Sequence, residues 1–179
     1  MPDLPQPALR IGYGWDSHEF KAGIPLKIGG ITLPYDKGLG GHSDGDVLLH
    51  ALTDALLGAI AAPDIGSLFP PSDPQWKGAD SVVFLRTALE RVAAAGYELV
   101  NVDSTLILAA PKIGSHAATI RKRVAELCGI SADRVGIKAK TPEGIGTEGA
   151  AIAQATVLLA KKERASSSKH LPTKHKKQR

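Results

Sequence analysis

Apolar residues recur along this chain with two different periods, and the switches between them mark out its elements. From Arg10 to Phe20 (RIGYGWDSHEF) the alternation is two-residue, which predicts a strand and points Asp16 and His18 to one face. Ile24–Tyr35 holds two short apolar runs around Gly29-Gly30 and predicts a hairpin. From Gly41 to Ala59 (GHSDGDVLLHALTDALLGA) the period becomes helical. Leu48, Leu52 and Leu56 recur every four residues, Leu49 and Ala59 widen the stripe, and Ser43 with Asp46 reads as a capping box. Asp46, His50 and Asp54 also recur every four residues, along a different face. Two carboxylates above and below one imidazole can orient a metal-ligating histidine, although the same spacing fits a solvated helix face.

The pattern continues with Pro63–Pro74 (PDIGSLFPPSDP), a turn-rich loop that its four prolines restrict strongly. A helix is expected over Ser81–Ala95, with Asp80 as cap, Gly96 as stop, and Val83, Phe84, Leu89 and Val92 as its core face. Leu99–Ala110 reads as a buried strand ending at Pro111-Lys112. A third helix covers about Ser115–Cys128, with Ile120, Val124 and Leu127 inward and Arg121, Lys122 and Arg123 outward. Val135–Lys140 is a short strand opening into Thr141-Pro142-Glu143-Gly144. Ala150–Ala160 is ambiguous: its alanines favour helix, while Ile152 and Thr156–Leu159 allow a buried strand.

Composition narrows the class. The 179 residues, 43% hydrophobic and 22% charged, suit one soluble domain with a single core, built from aliphatic residues because aromatics are only 4%. The single cysteine, Cys128, excludes an internal disulfide and fits a reducing cytoplasm as a small buried hydrophobe. No apolar run is long enough to cross a membrane, and MPDLPQPALR lacks the apolar core of a signal peptide, so residues 1–9 read as a stiff arm. Residues 161–179 carry net +7 of a chain total of +4, so the basic balance belongs to this tail, expected to be disordered, and residues 1–160 are slightly acidic. The tail makes nucleic acid a conceivable but unfavoured partner, since few aromatics are present to stack on bases.

Chemistry concentrates in the first third of the chain. Asp16 and His18 on a strand, with His50 from a helix, would give a metal two nitrogens and an oxygen and leave a fourth position open, the pattern of catalytic zinc. Spacing alone does not bring His50 to the other two, and leaves it equally readable as a structural histidine. Taken together, however, RIGYGWDSHEF, GGHSDGDVLLHALTDALLGA, DIGSLFPPSDP, NVDSTLILAAPK and KAKTPE, in order from Arg10 to about Leu159, resemble the 2-C-methyl-D-erythritol 2,4-cyclodiphosphate synthases of the non-mevalonate isoprenoid pathway.

That resemblance implies an α/β (α+β) fold: a mixed four-stranded sheet covered on one face by helices, a β-α-β-α-β-β core plus a small hairpin, with Ala150–Ala160 a strand. It implies a homotrimer with active sites between subunits. It assigns zinc to Asp16, His18 and His50, with Asp46 and Asp54 as outer partners of the histidine, and a magnesium or manganese ion on the diphosphate to Glu143. His42 and Thr141 match transition-state stabilisers. His42 and Ser43 match positions that meet the methylerythritol phosphate, Ser17 with Asp16 and His18 matches substrate-binding positions, and Asp64, Ile65, Gly66, Phe69, Pro70, Pro71, Ser72 and Asp73 match the loop around the methylerythritol. Leu108, Ala109, Ala110, Pro111, Lys112, Ile113 and Gly114, with Lys140, Thr141, Pro142 and Glu143, match the cytidine side. The implied reaction is metal-dependent release of CMP from 4-diphosphocytidyl-2-C-methyl-D-erythritol 2-phosphate, closing a cyclic diphosphate. Tyr13, Trp15, Lys140 and Pro142 depart from the usual family residues, and the segment 144–151 is short and lacks an arginine. Two rival readings are a zinc phosphohydrolase that uses water and a basic-tailed nucleic-acid-binding module with a structural metal.

Overall fold

Strand β1 (Leu9–Ala22) forms where the alternation predicts it, but its two faces carry the reverse of the usual pattern. The face turned to the helices bears Gly12 and Gly14, while Ile11, Tyr13 and Trp15 on the other are 72, 59 and 49% exposed. The cause is helix α1 (Val47–Ala59), which lies so close that a Cβ on Gly12 would sit 1.8 Å from the carbonyl oxygen of Ala55. One on Gly14 would sit 2.0 Å from that of Ala51. Only hydrogen fits there.

The computed structural model describes residues 7–162. The expected arm before Pro7 and the tail from Glu163 onward lie outside the described residues. Among those described, β2 (Leu26–Ile28) and β3 (Ile31–Leu33) make the expected hairpin, turning through Gly29 and Gly30 at φ 65° and 76°. β4 (Lys37–Leu39) follows, then α1, a short α2 (Ile65–Leu68), α3 (Ser81–Ala94), β5 (Tyr97–Ile107), α4 (Ala117–Cys128), β6 (Val135–Lys140) and β7 (Ala150–Lys161).

The main sheet has five strands, not four, in the order β4-β1-β7-β5-β6. The addition is β4, three residues (Lys37-Gly38-Leu39) too few to show a period; it pairs antiparallel with β1 through Phe20 and Leu39. The parallel pair β5–β6 is joined by α4 as a crossover, and the other pairs are antiparallel. β7 is a strand despite its alanines. Ala151, Ala153 and Ala155 form its buried face, where small side chains let α1 approach, and packing overrides propensity. On α3 the core face is Phe84, Leu85, Ala88 and Val92; Val83, expected inward, is exposed.

Candidate metal centre and substrate clefts

The helix start that sets up the site differs from the capping box expected. The cap of α1 is Asp46, whose carboxylate accepts from the Leu49 amide at 3.0 Å and from the amides of Gly29 and Gly30 at 2.9 and 2.7 Å. Asp46 is fully buried, which pushes its carboxyl pKa up against the pull of those three amides. It thereby pins the β2–β3 turn to the helix. Asp54 accepts from the Ile65 amide at 2.8 Å and so holds the proline-rich loop. Neither carboxylate hydrogen-bonds His50, because backbone donors nearer to hand claim both. The expectation that they flank the imidazole is therefore corrected.

What does meet His50 comes from other elements. One turn into α1, its Nδ1 lies 3.0 Å from Asp16 Oδ2 and 3.0 Å from His18 Nε2; His18 Nε2 is 2.9 Å from the same carboxylate oxygen. Two imidazole nitrogens and one oxygen thus converge, the one cluster of this kind among the described residues. The close α1–β1 approach over Gly12 and Gly14 is what closes the gap. Burial pushes the Asp16 carboxyl up, but hydrogen bonds and charge from His18 and His50 overcome it and bring the pKa to about 2. Burial likewise pulls His18 down, and the Asp16 carboxylate outweighs it and leaves the imidazole above its usual range. A hydrogen bond with the backbone of Gly40 acts in the same direction.

His50 Nε2 faces away from this cluster, toward two hydroxyls: Ser81 Oγ at 2.8 Å and Ser43 Oγ at 3.0 Å. Ser81 in turn hydrogen-bonds Asp44, which also takes Lys27 Nζ at 3.0 Å. Burial raises the Asp44 carboxyl, and Ser81 and Lys27 more than offset this, holding it below the usual carboxylate range. Ser81 and Asp44 stand 37 residues apart, so no local spacing announces the pair, and sequence reading missed it.

Two clefts take up most of the expected site residues. The first, of about 180 Å³, is lined by His18, His42, Ser43, His50, Ile65, Gly66, Phe69, Pro71, Trp76 and Phe84. Its apolar wall is a stack the sequence did not reveal: Phe69 meets Phe84 at 4.5 Å and Trp76 at 5.0 Å between ring centres. Asp64 caps α2 through the Ser67 amide at 2.7 Å, and Asp73 caps the turn at Pro74–Trp76 while its carbonyl lies 3.4 Å from His42 Nε2. The second cleft, of about 390 Å³, lies where β5 and β6 end, lined by Leu108, Ala109, Pro111, Lys112, Ile113, Gly114, Lys140, Thr141 and Glu143. Thr141 Oγ1 donates to the Glu143 carboxylate. Asp16, Ser17, Asp64, Pro70, Ser72, Asp73, Ala110 and Pro142 line neither cleft, and the two clefts share no residue. Within one chain, Glu143 and Thr141 therefore stand in a different cleft from the Asp16–His18–His50 cluster.

Comparison with known proteins places this geometry in context. Residues 9–160 match the YgbB family. The chain is 61% identical over 154 residues to the 2-C-methyl-D-erythritol 2,4-cyclodiphosphate synthase of Koribacter versatilis, covering 86% of this chain and 99% of that protein. A solved synthase of the same name with CDP bound superposes with a TM-score of 0.80 at 45% identity, covering 84% of this chain and 99% of the other. The Plasmodium falciparum IspF in complex with CDP superposes with a TM-score of 0.77 at 32% identity, covering 89% of this chain and all (100%) of that one. Among the described residues, no helix is long and apolar enough to cross a membrane.

Proposed function

The chain belongs to the YgbB family, and from that premise we propose that it converts 4-diphosphocytidyl-2-C-methyl-D-erythritol 2-phosphate to 2-C-methyl-D-erythritol 2,4-cyclodiphosphate and CMP. This is a phosphorus–oxygen lyase step toward isoprenoid precursors. The observation that carries the reading is the convergence of Asp16, His18 and His50 beside a cleft walled in part by Phe69, Trp76 and Phe84. Two neutral nitrogens and one carboxylate oxygen suit zinc, and the cleft leaves a side open for a phosphoryl oxygen.

In this reaction the substrate brings its own nucleophile. An oxygen of the 2-phosphate bonds to the β-phosphorus, the bond from that phosphorus to the bridging oxygen breaks, and CMP departs with the electron pair. Such a transfer needs alignment and charge neutralisation more than covalent help. Asp16, His18 and His50 would hold zinc and Glu143 magnesium or manganese, and ions held there would supply Lewis-acid polarisation of the diphosphate. The chain's own residues do the positioning. His42 and Ser43 present donors to the methylerythritol phosphate. Phe69, Trp76 and Phe84 pack the carbon skeleton and exclude water, while the Asp64–Asp73 loop closes around it. Lys112, Lys140 and the backbone from Leu108 to Gly114 take the cytidine phosphates and base, and Thr141 steadies charge as the bond breaks.

Because the two clefts are separate within one chain, the reading includes a homotrimer in which a neighbour's β5–β6 cleft faces the metal cluster. The uncovered sheet face supports it: Leu9, Ile11, Tyr13 and Trp15 expose a row of large apolar side chains that an isolated chain would leave in water. A cytoplasmic location accompanies this reading; burial pushes the lone Cys128 thiol to about 12, leaving it inert.

The test is incubation with the cytidyl substrate followed by phosphorus NMR. Equimolar CMP and cyclic diphosphate are expected. A linear phosphate product would assign the nucleophile to water and overturn the reading.

A further inference from the structure

His50 offers one Nε2 to two hydroxyls, and the two are not equivalent. Ser81 is buried and stands at the first turn of α3, where its amide also points at Asp44 Oδ1, 3.3 Å away. Ser43 lies on the cleft wall, and among the described residues its hydroxyl is met beyond His50 only by the Gly45 amide, at 3.4 Å. The chain of bonds beyond Ser81 has a fixed direction. Lys27 can only donate, and a carboxylate paired with it can only accept. Ser81 therefore donates its hydroxyl proton to Asp44, which leaves its lone pairs to accept from His50. That places a ring proton on Nε2, so that Nδ1, which faces Asp16 and His18, is the nitrogen open to a metal ion. Ser43 is then spare: its hydroxyl proton is committed to no acceptor among the described residues and can turn to a ligand in the cleft.

We propose that Ser81, oriented by Asp44 and braced by Lys27, is the positioning residue that fixes the tautomer and ring angle of His50 for metal binding, whereas the neighbouring Ser43 serves the substrate. The division rests on the zinc assignment above but not on the reaction. Its consequence is that two serines touching the same nitrogen belong to different steps. The three supporting residues come from three places: the β2–β3 hairpin, the loop before α1, and the start of α3. A metal site on a strand and a helix is thus locked by elements that bring it no ligand, the arrangement by which outer hydrogen-bond partners raise ligand basicity.

The experiment measures zinc affinity by chelator competition without substrate, beside turnover, in the full chain. Ser81→Ala is expected to weaken zinc binding about 10- to 100-fold. Ser81→Thr, which keeps the hydroxyl, is expected to restore it to within about 3-fold. Ser43→Ala is expected to leave zinc affinity within about 3-fold of the parent while raising KM. In nitrogen-edited NMR of the parent, the His50 Nε2 proton is expected as a slowly exchanging signal, kept in Ser43→Ala and lost in Ser81→Ala. Unchanged zinc affinity in Ser81→Ala, or a larger loss in Ser43→Ala, overturns the proposal. Should Ser81→Ala not fold, a zinc-loaded parent whose His50 Nε2 carries no proton overturns it, and a protected Nε2 proton supports it. Zinc affinities as expected with no cyclic product would leave this proposal standing and defeat the reaction alone.

Discussion

The two clefts are built on opposite principles. In the first, the metal-facing groups are tied across elements: Asp16 and His18 from β1 meet His50 from α1, and Asp46 joins α1 to the hairpin turn. The helix is seated on the strand by glycines that leave no play. In the second, Lys140, Thr141 and Glu143 follow one another on the segment leaving β6, all of them exposed. Glu143 takes a left-handed backbone, φ 52°, and its bond to Thr141 spans only two residues. The first cleft is preorganised by the core of a single chain. The second is held by local turns, and on the proposed reading a neighbouring chain completes it. Metal capture should therefore survive changes that disable the second cleft, while damage beneath the first should disable both.

The largest effect is expected at the cluster itself. His50→Ala should abolish stoichiometric zinc uptake, measured by atomic absorption, and lower kcat/KM on the order of 1000-fold, about 4 kcal/mol of transition-state stabilisation. The fold should persist, seen by circular dichroism. Retained zinc and near-parent turnover would mean that the three side chains do not act together.

Next comes the seat of the helix. Gly14→Ala must displace α1, because its Cβ would meet the Ala51 carbonyl oxygen at 2.0 Å. A loss of about 3 kcal/mol in chemical denaturation is expected, with zinc affinity falling alongside. A stable variant with normal zinc binding would detach the site from the α1–β1 contact.

Glu143→Gln tests the opposite side. It keeps shape and the Thr141 bond but removes the charge, so zinc uptake should match the parent while kcat falls about 100-fold and the magnesium dependence flattens. An unchanged magnesium requirement would remove Glu143 from that role.

The smallest effect is a pH slope. His18 is held above 6.5 in the metal-free chain, since the Asp16 carboxylate outweighs the opposing effect of burial. A raised pKa contributes stability that is fully present below 6.5 and is lost as pH rises through the folded value. The thermal midpoint of metal-free protein should thus decline from pH 6 to 8. The stabilisation conferred by zinc should grow over the same interval, because the ion needs the neutral ring. Parallel pH curves with and without zinc would contradict this.

Much of the fold was legible because most elements carry their signal within a few residues. The alternation of β1, the Gly29-Gly30 turn, and the Asp80 cap of α3 all appear where the sequence places them. The misreadings share one cause, competition from distant groups. Ser43 looked like a helix cap until Asp46 took both the cap and the hairpin amides. β4 is too short to show a period, and β7 is alanine-rich because α1 needs room above it. Asp46 and Asp54 share a helix face with His50, yet their carboxylates are drawn to backbone amides that sequence spacing does not reveal.

The sequence by itself determined which residue types could do chemistry here and where most strands and helices lie, because periodicity and capping act over one or two turns of chain. Only the tertiary structure decided which of those residues meet. The joining of Asp16 and His18 to His50 depends on how closely a helix can approach a strand that carries hydrogen in place of side chains, and the line from His50 through Ser81 and Asp44 to Lys27 depends on where α3 and the hairpin pack beside that helix. That closeness is set by packing across the whole core, and no local window of residues contains it.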